Sequence, residues 1–128
     1  MREVRFRAWN KRTAMMEEDF YIHSNGSQYD LAERNYDTPH IEIEKVELEI
    51  MRYTGIKDKD GVRIFEGDIV RYFRNELAVI VYRNGGVDIR SLSWRDCEPL
   101  QRRLGEIEVI GNIYEHKYLL REEGFSDE

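Results

Sequence analysis

The dipeptide Asn84-Gly85 constrains this chain more than any other feature. It stands between a continuous apolar run, LAVIVY at 77–82, and a returning run at 87–92. A type I′ turn needs positive φ at both central residues, which Asn and Gly tolerate and β-branched residues do not. The pair therefore predicts a tight hairpin, and the unbroken apolar run predicts that its first strand is central. Other short strands flank it. Residues 68–73 (DIVRYF) alternate, with Glu66-Gly67-Asp68 as a tight turn before them. A last strand is expected within 106–114, then one short helix within 114–123. Short strands at this spacing predict a small barrel of the SH3-like kind.

The N-terminal part is also β. Residues 3–9 alternate, followed by a turn at 10–13 and a second strand over 15–23. SNGSQYD at 24–30 reads as a loop, and LAERNY at 31–36 as one helical turn before Pro39. IEIEKVELEI at 41–50 alternates but changes phase at Lys45. A β-bulge there would restore one apolar face, and Glu42, Glu44, Glu47 and Glu49 would lie opposite Arg5 and Arg7. The fold class is thus mostly β. An N-terminal β subdomain is expected at 1–50, an SH3-like barrel at 51–115 and a C-terminal tail at 116–128. The strands at 2–9 and 41–50 are expected at sheet edges.

Charge and composition exclude several classes. The net charge of -6 is distributed in blocks: +4 over 1–13, -8 over 14–50, +3 over 51–95 and -5 over 96–128. Such alternation suggests blocks that face each other, within one chain or between copies. A globally acidic chain is repelled by phosphate backbones, so nucleic-acid binding would need the basic 51–95 surface. No apolar run approaches the ~20 residues of a membrane span. The first residues carry charge but no apolar stretch of a secretory signal. One cysteine, Cys97, excludes a disulfide framework and a Cys-based zinc site, and the cytoplasm is the default compartment.

Candidate chemistry is sparse. KDKDG at 57–61 fails as a calcium loop: counted from Asp58, Gly61 falls at the fourth position, not the sixth. A turn that uses Asp58, Asp60 and Gly61 for backbone reasons is preferred. Cys97 with His23, His40 or His116 has no local support as a nucleophile and base. The histidines lack metal-ligand spacing. Glu66, Asp68 and Asp96 offer carboxylates, but with 26 acidic residues chance pairs are inevitable, and Asp68 is better read as a turn residue. No phosphate-cradling glycine loop is present. No catalytic, cofactor or metal residue is therefore assigned. The interaction surface proposed from sequence is Arg71, Tyr72, Arg74, Arg83, Arg90, Trp94 and Arg95, where basic and aromatic residues interleave.

Three segments together carry a resemblance. FRAWNKRT at 6–13, YTGIKDKDGVRIFEGDIV at 53–70 and VIGNIYEH at 109–116 resemble the YopX family of bacillus and phage proteins. The resemblance spans nearly the whole chain and is weakest over 24–40. It implies a phage- or prophage-encoded protein acting in the bacterial cytoplasm, mostly β and associating with copies of itself. No assigned activity comes with it. The expected function is a non-enzymatic accessory role exerted by binding, to itself or to an unknown protein partner. The alternative is a nucleic-acid-binding module using the basic 51–95 surface.

Overall fold

The computed structural model describes residues 5–18, 20–25, 28–33, 41–44, 47–93 and 96–122. The fold is mostly β, with a curled half-barrel sheet and one short C-terminal helix. Contacts divide the chain into two compact units, Arg5–Arg52 and a second from Tyr53 onward.

In the first unit, β1 (Phe6–Asn10) pairs antiparallel with β2 (Met15–Glu17) and with the start of β6 (Leu48–Lys57). A three-stranded sheet is formed by β3 (Phe20–Asn25), β4 (Gln28–Glu33) and β5 (Ile41–Glu44), in that order. Several expectations change here. The segment read as a loop at 24–30 is mostly strand, because β3 and β4 pair out to Asn25↔Gln28. Ser24 and Asn25 belong to β3, in register with Tyr29 and Gln28 of β4. Residues 31–33 are strand, and the rest of the supposed helical turn lies outside the described residues. The run 41–50 is not one bulged strand: β5 pairs with β4, whereas β6 pairs with β1. The chain changes sheet between the end of β5 at Glu44 and the start of β6 at Leu48. In consequence Arg7 stands opposite Met51, its Nε 3.4 Å from the Met51 sulfur, and Lys11 takes Glu49 at 2.7 Å. The first strand is not an edge, because β1 lies between β2 and β6.

The second unit is built on a five-stranded sheet in the order β11-β10-β9-β8-β12. Its strands are β8 (Asp68–Tyr72), β9 (Glu76–Arg83), β10 (Gly86–Ser91), β11 (Cys97–Pro99) and β12 (Glu108–Asn112). The apolar run is the central strand β9, as its composition predicts. Asn84 and Gly85 have φ of 52° and 79°, so both occupy the left-handed region required of the hairpin. A short β7 (Arg63–Phe65) pairs with the end of β6.

Both faces of this sheet are covered. One carries Val70, Tyr72, Ala78, Ile80 and Ile89, closed by Ile64, Leu100 and Ile107. The other carries Ile69, Leu77 and Val79, closed by Leu92 and by Leu120 of the helix α1 (Lys117–Glu122). Each fully buried isoleucine contributes about 1.5–3 kcal/mol of transfer free energy. Burial on two faces explains why β9 reads as continuously apolar where a half-exposed strand would alternate.

Candidate interaction surface

The buried polar residues of the three matching segments hold backbone together. Asn10 is buried, and its Oδ1 accepts from the N–H groups of Arg12 (3.0 Å) and Thr13 (3.3 Å), which closes the β1–β2 turn. Asp58 Oδ1 accepts from Asp60 N (2.8 Å) and Val62 N (2.9 Å), and its Oδ2 accepts from Val109 N (2.9 Å) on β12. Burial pushes this carboxyl up, but the backbone donors of Val109, Val62 and Asp60, aided by Lys59, outweigh it and hold the pKa below the usual 3.8. Buried Asp68 accepts from Phe65 N at 2.7 Å. Buried Thr54 donates to the Ile64 carbonyl at 2.7 Å. Asn112 Oδ1 accepts from Tyr114 N (3.0 Å) and Glu115 N (2.8 Å), while Asn112 N donates to His116 Nδ1 at 3.1 Å. Asp58 and Asp68 are therefore turn residues, as their spacing predicts.

The other titratable candidates do not converge. Cys97 is a free thiol on β11, lining a shallow depression of about 430 Å³ with Val81, Arg83 and Arg90. His116 is tied to Asn112. His23 lies on β3, and His40 is outside the described residues. Among the described residues no group of acidic, His or Cys side chains is arranged to hold a metal ion.

The basic and aromatic residues singled out from sequence separate into distinct places. Arg71 is exposed on β8 and pairs across the sheet with Glu108 at 3.2 Å. Arg83 pairs with Asp88 at 3.5 Å beside the hairpin. Arg90 lies on β10 in the register of Cys97. Tyr72 is buried, and burial pushes its phenol up, offset in part by a hydrogen bond with Ser91 and reinforced by Glu98 and Glu76. Trp94 and Arg95 lie outside the described residues. Arg74 sits in the β8–β9 turn with its guanidinium 5.0 Å from the Phe73 ring centroid.

One residue that sequence reasoning missed, Arg103, completes this corner beside Phe73. Arg103 lies over Tyr72 at 5.8 Å and over Phe73 at 5.0 Å. Its hydrogen bonds to Glu98, at 2.7 and 3.5 Å, raise its pKa above the usual value. Phe73 is 45% exposed. Phe73 was legible as the end of an alternating strand and as one of the aromatics interleaved with arginines, whereas Arg103 comes from a distant 3-10 turn, Leu100–Arg103.

Fold and surface together define a two-unit, mostly β protein whose signature polar residues support turns. The chain belongs to the YopX protein family, which it matches over residues 5–121. No curated protein matches it. It is similar to the crystal structure of protein EF1440 from Enterococcus faecalis, at 26% identity and a TM-score of 0.62, covering 94% of this chain and 99% of that one. No helix among the described residues is long and apolar enough to cross a membrane.

Proposed function

We propose that this protein acts by binding and not by catalysis, as a phage- or prophage-encoded accessory protein of the bacterial cytoplasm that associates with copies of itself. The observation that carries this reading is the use made of its signature polar groups. Asn10, Asp58, Asp68 and Asn112 are all occupied by backbone N–H groups. A carboxylate whose lone pairs serve buried amides is poorly placed for proton transfer. What the family segments specify is a frame, and a frame presents surface. In this reading the half-barrel is an SH3-like barrel.

The runner-up, nucleic-acid binding through the basic 51–95 surface, is favoured by one feature: Arg74 beside the exposed ring of Phe73, a pairing suited to stacking bases. Light scattering tests the main reading. The expected result at micromolar concentration is a mass above the 15.4 kDa of one chain. A 15.4 kDa species at every concentration would remove self-association.

A further inference from the structure

We infer that the outer edge of β12 is a strand-addition site that the chain holds shut. Asp58 and His116 occupy the backbone groups with which β12 of a second copy would pair. The inference does not depend on the self-association proposed above, because wild type serves as its own baseline.

β12 ends the order of the five-stranded sheet, beside β8. The backbone groups of such an edge are open to pairing with another chain unless something covers them. Here they are covered locally. Val109 N donates to Asp58 Oδ2 at 2.9 Å, and the Ile107 carbonyl accepts from Lys59 N at 2.9 Å. These two groups bracket Glu108, which is the pattern one residue of a parallel strand would make. A carboxylate oxygen stands in for that strand's carbonyl. It is held in place by its own turn, because Asp58 Oδ1 accepts from Asp60 N and Val62 N. Beyond the register shift between Val109 and Gly111, His116 does the same work. Asn112 N donates to His116 Nδ1 at 3.1 Å, and the Asn112 carbonyl accepts from His116 N at 3.0 Å. His116 thus fills both the donor and the acceptor of one residue, as an antiparallel neighbour would. Gly111 lets the imidazole lie against the strand, since a Cβ there would come within 2.7 Å of the ring.

The composition of the strand says what an open edge would take. Residues 107–113 read Ile-Glu-Val-Ile-Gly-Asn-Ile, with one charge and neither lysine nor proline, the residues that commonly protect an edge. An apolar strand of low charge pairs with its own copy when its edge is free. Two β12 strands related by a two-fold axis run antiparallel, and each supplies the donors and acceptors that the other lacks.

The test is sedimentation and light scattering of the full chain, with circular dichroism and amide hydrogen exchange on the same samples. Wild type sets the baseline mass. Asp58→Asn combined with His116→Ala is expected to raise that mass about twofold at the same concentration. Adding Val109→Pro is expected to return it to the baseline. Proline removes the N–H that Asp58 covers, and an edge strand tolerates it where that N–H points away from the sheet. In the single variants the exposed amide reports directly. Val109 N–H is expected to exchange roughly tenfold faster or more in Asp58→Asn, and Asn112 N–H likewise in His116→Ala. A folded double variant that keeps the wild-type mass would overturn the inference. A gain in mass that survives Val109→Pro would also overturn it, because the new contact would then lie elsewhere. If the double variant does not fold, the single variants decide: each is expected to gain mass as concentration rises. Single variants that hold the wild-type mass and the wild-type exchange at both amides would show that neither side chain guards the edge.

Discussion

Asp58 joins residues 51 positions apart, because one of its oxygens takes Val109 N while the other closes the 58–62 turn. Its folded pKa lies below its usual value. Such a group adds stability that is present above about pH 4 and is lost as pH falls through the lower, folded value. Asp58→Asn should therefore flatten the acid limb of the stability–pH profile, measured by urea unfolding from neutral to strongly acid pH. At neutral pH it should cost about 1–3 kcal/mol, since the amide that replaces one oxygen cannot accept from a buried N–H. An acid limb as steep as that of wild type would show that Asp58 is not the responsible group. Gly111 poses a different constraint at the same scale. A Cβ there would lie 2.7 Å from His116 Cγ and Nδ1, the atom that accepts from Asn112 N. Gly111→Ala should cost about 1–3 kcal/mol by forcing the ring away. In a His116→Ala background only the Cβ contact at 3.1 Å is left, so the same substitution should cost clearly less. Additive penalties in that double-mutant cycle would refute the contact.

At the scale of elements, the hairpin makes the sharpest prediction. Asn84 and Gly85 both hold positive φ, so Asn84→Val with Gly85→Val should lower stability by a few kcal/mol in thermal or urea unfolding. A double variant as stable as wild type would disprove the turn. This hairpin was legible because its signal is local: two residues and their own φ values decide it. The turn roles of Asp58 and Asp68 were legible for the same reason. The 41–50 run was not. Alternation reports which face a residue takes but not which strand it pairs with, so a change of sheet between Glu44 and Leu48 and a bulge within one strand leave the same pattern. The loop reading of 24–30 failed likewise, since Ser24 and Asn25 are turn-favouring residues that nevertheless belong to β3. The Phe73–Arg74–Arg103 corner needed the fold, because Arg103 reaches Phe73 from thirty residues away in sequence.

At the scale of the molecule, charge is organised within the chain. The +4 and -8 blocks meet at Lys11–Glu49, and the +3 and -5 blocks meet at Arg71–Glu108. Exposed pairs of this kind contribute about 0–1 kcal/mol each, so their effect is less on stability than on the field the surface presents. A guanidinium beside a carboxylate looks nearly neutral from beyond a Debye length of about 8 Å at physiological salt. Two arginines of the surface proposed from sequence, Arg71 and Arg83, are masked in this way by Glu108 and Asp88. Binding to a nucleic-acid backbone depends on neutralising several phosphates at once, and affinity falls steeply as salt rises. With a net charge of -6 and two of its arginines paired, the chain should give no shift of a duplex oligonucleotide at physiological salt, and at most a weak one at low salt. The comparison to make is a mobility-shift assay at both salt concentrations with micromolar protein. A salt-resistant shift would mean that the pairs open on contact with phosphate, and nucleic-acid binding would then displace self-association as the leading reading.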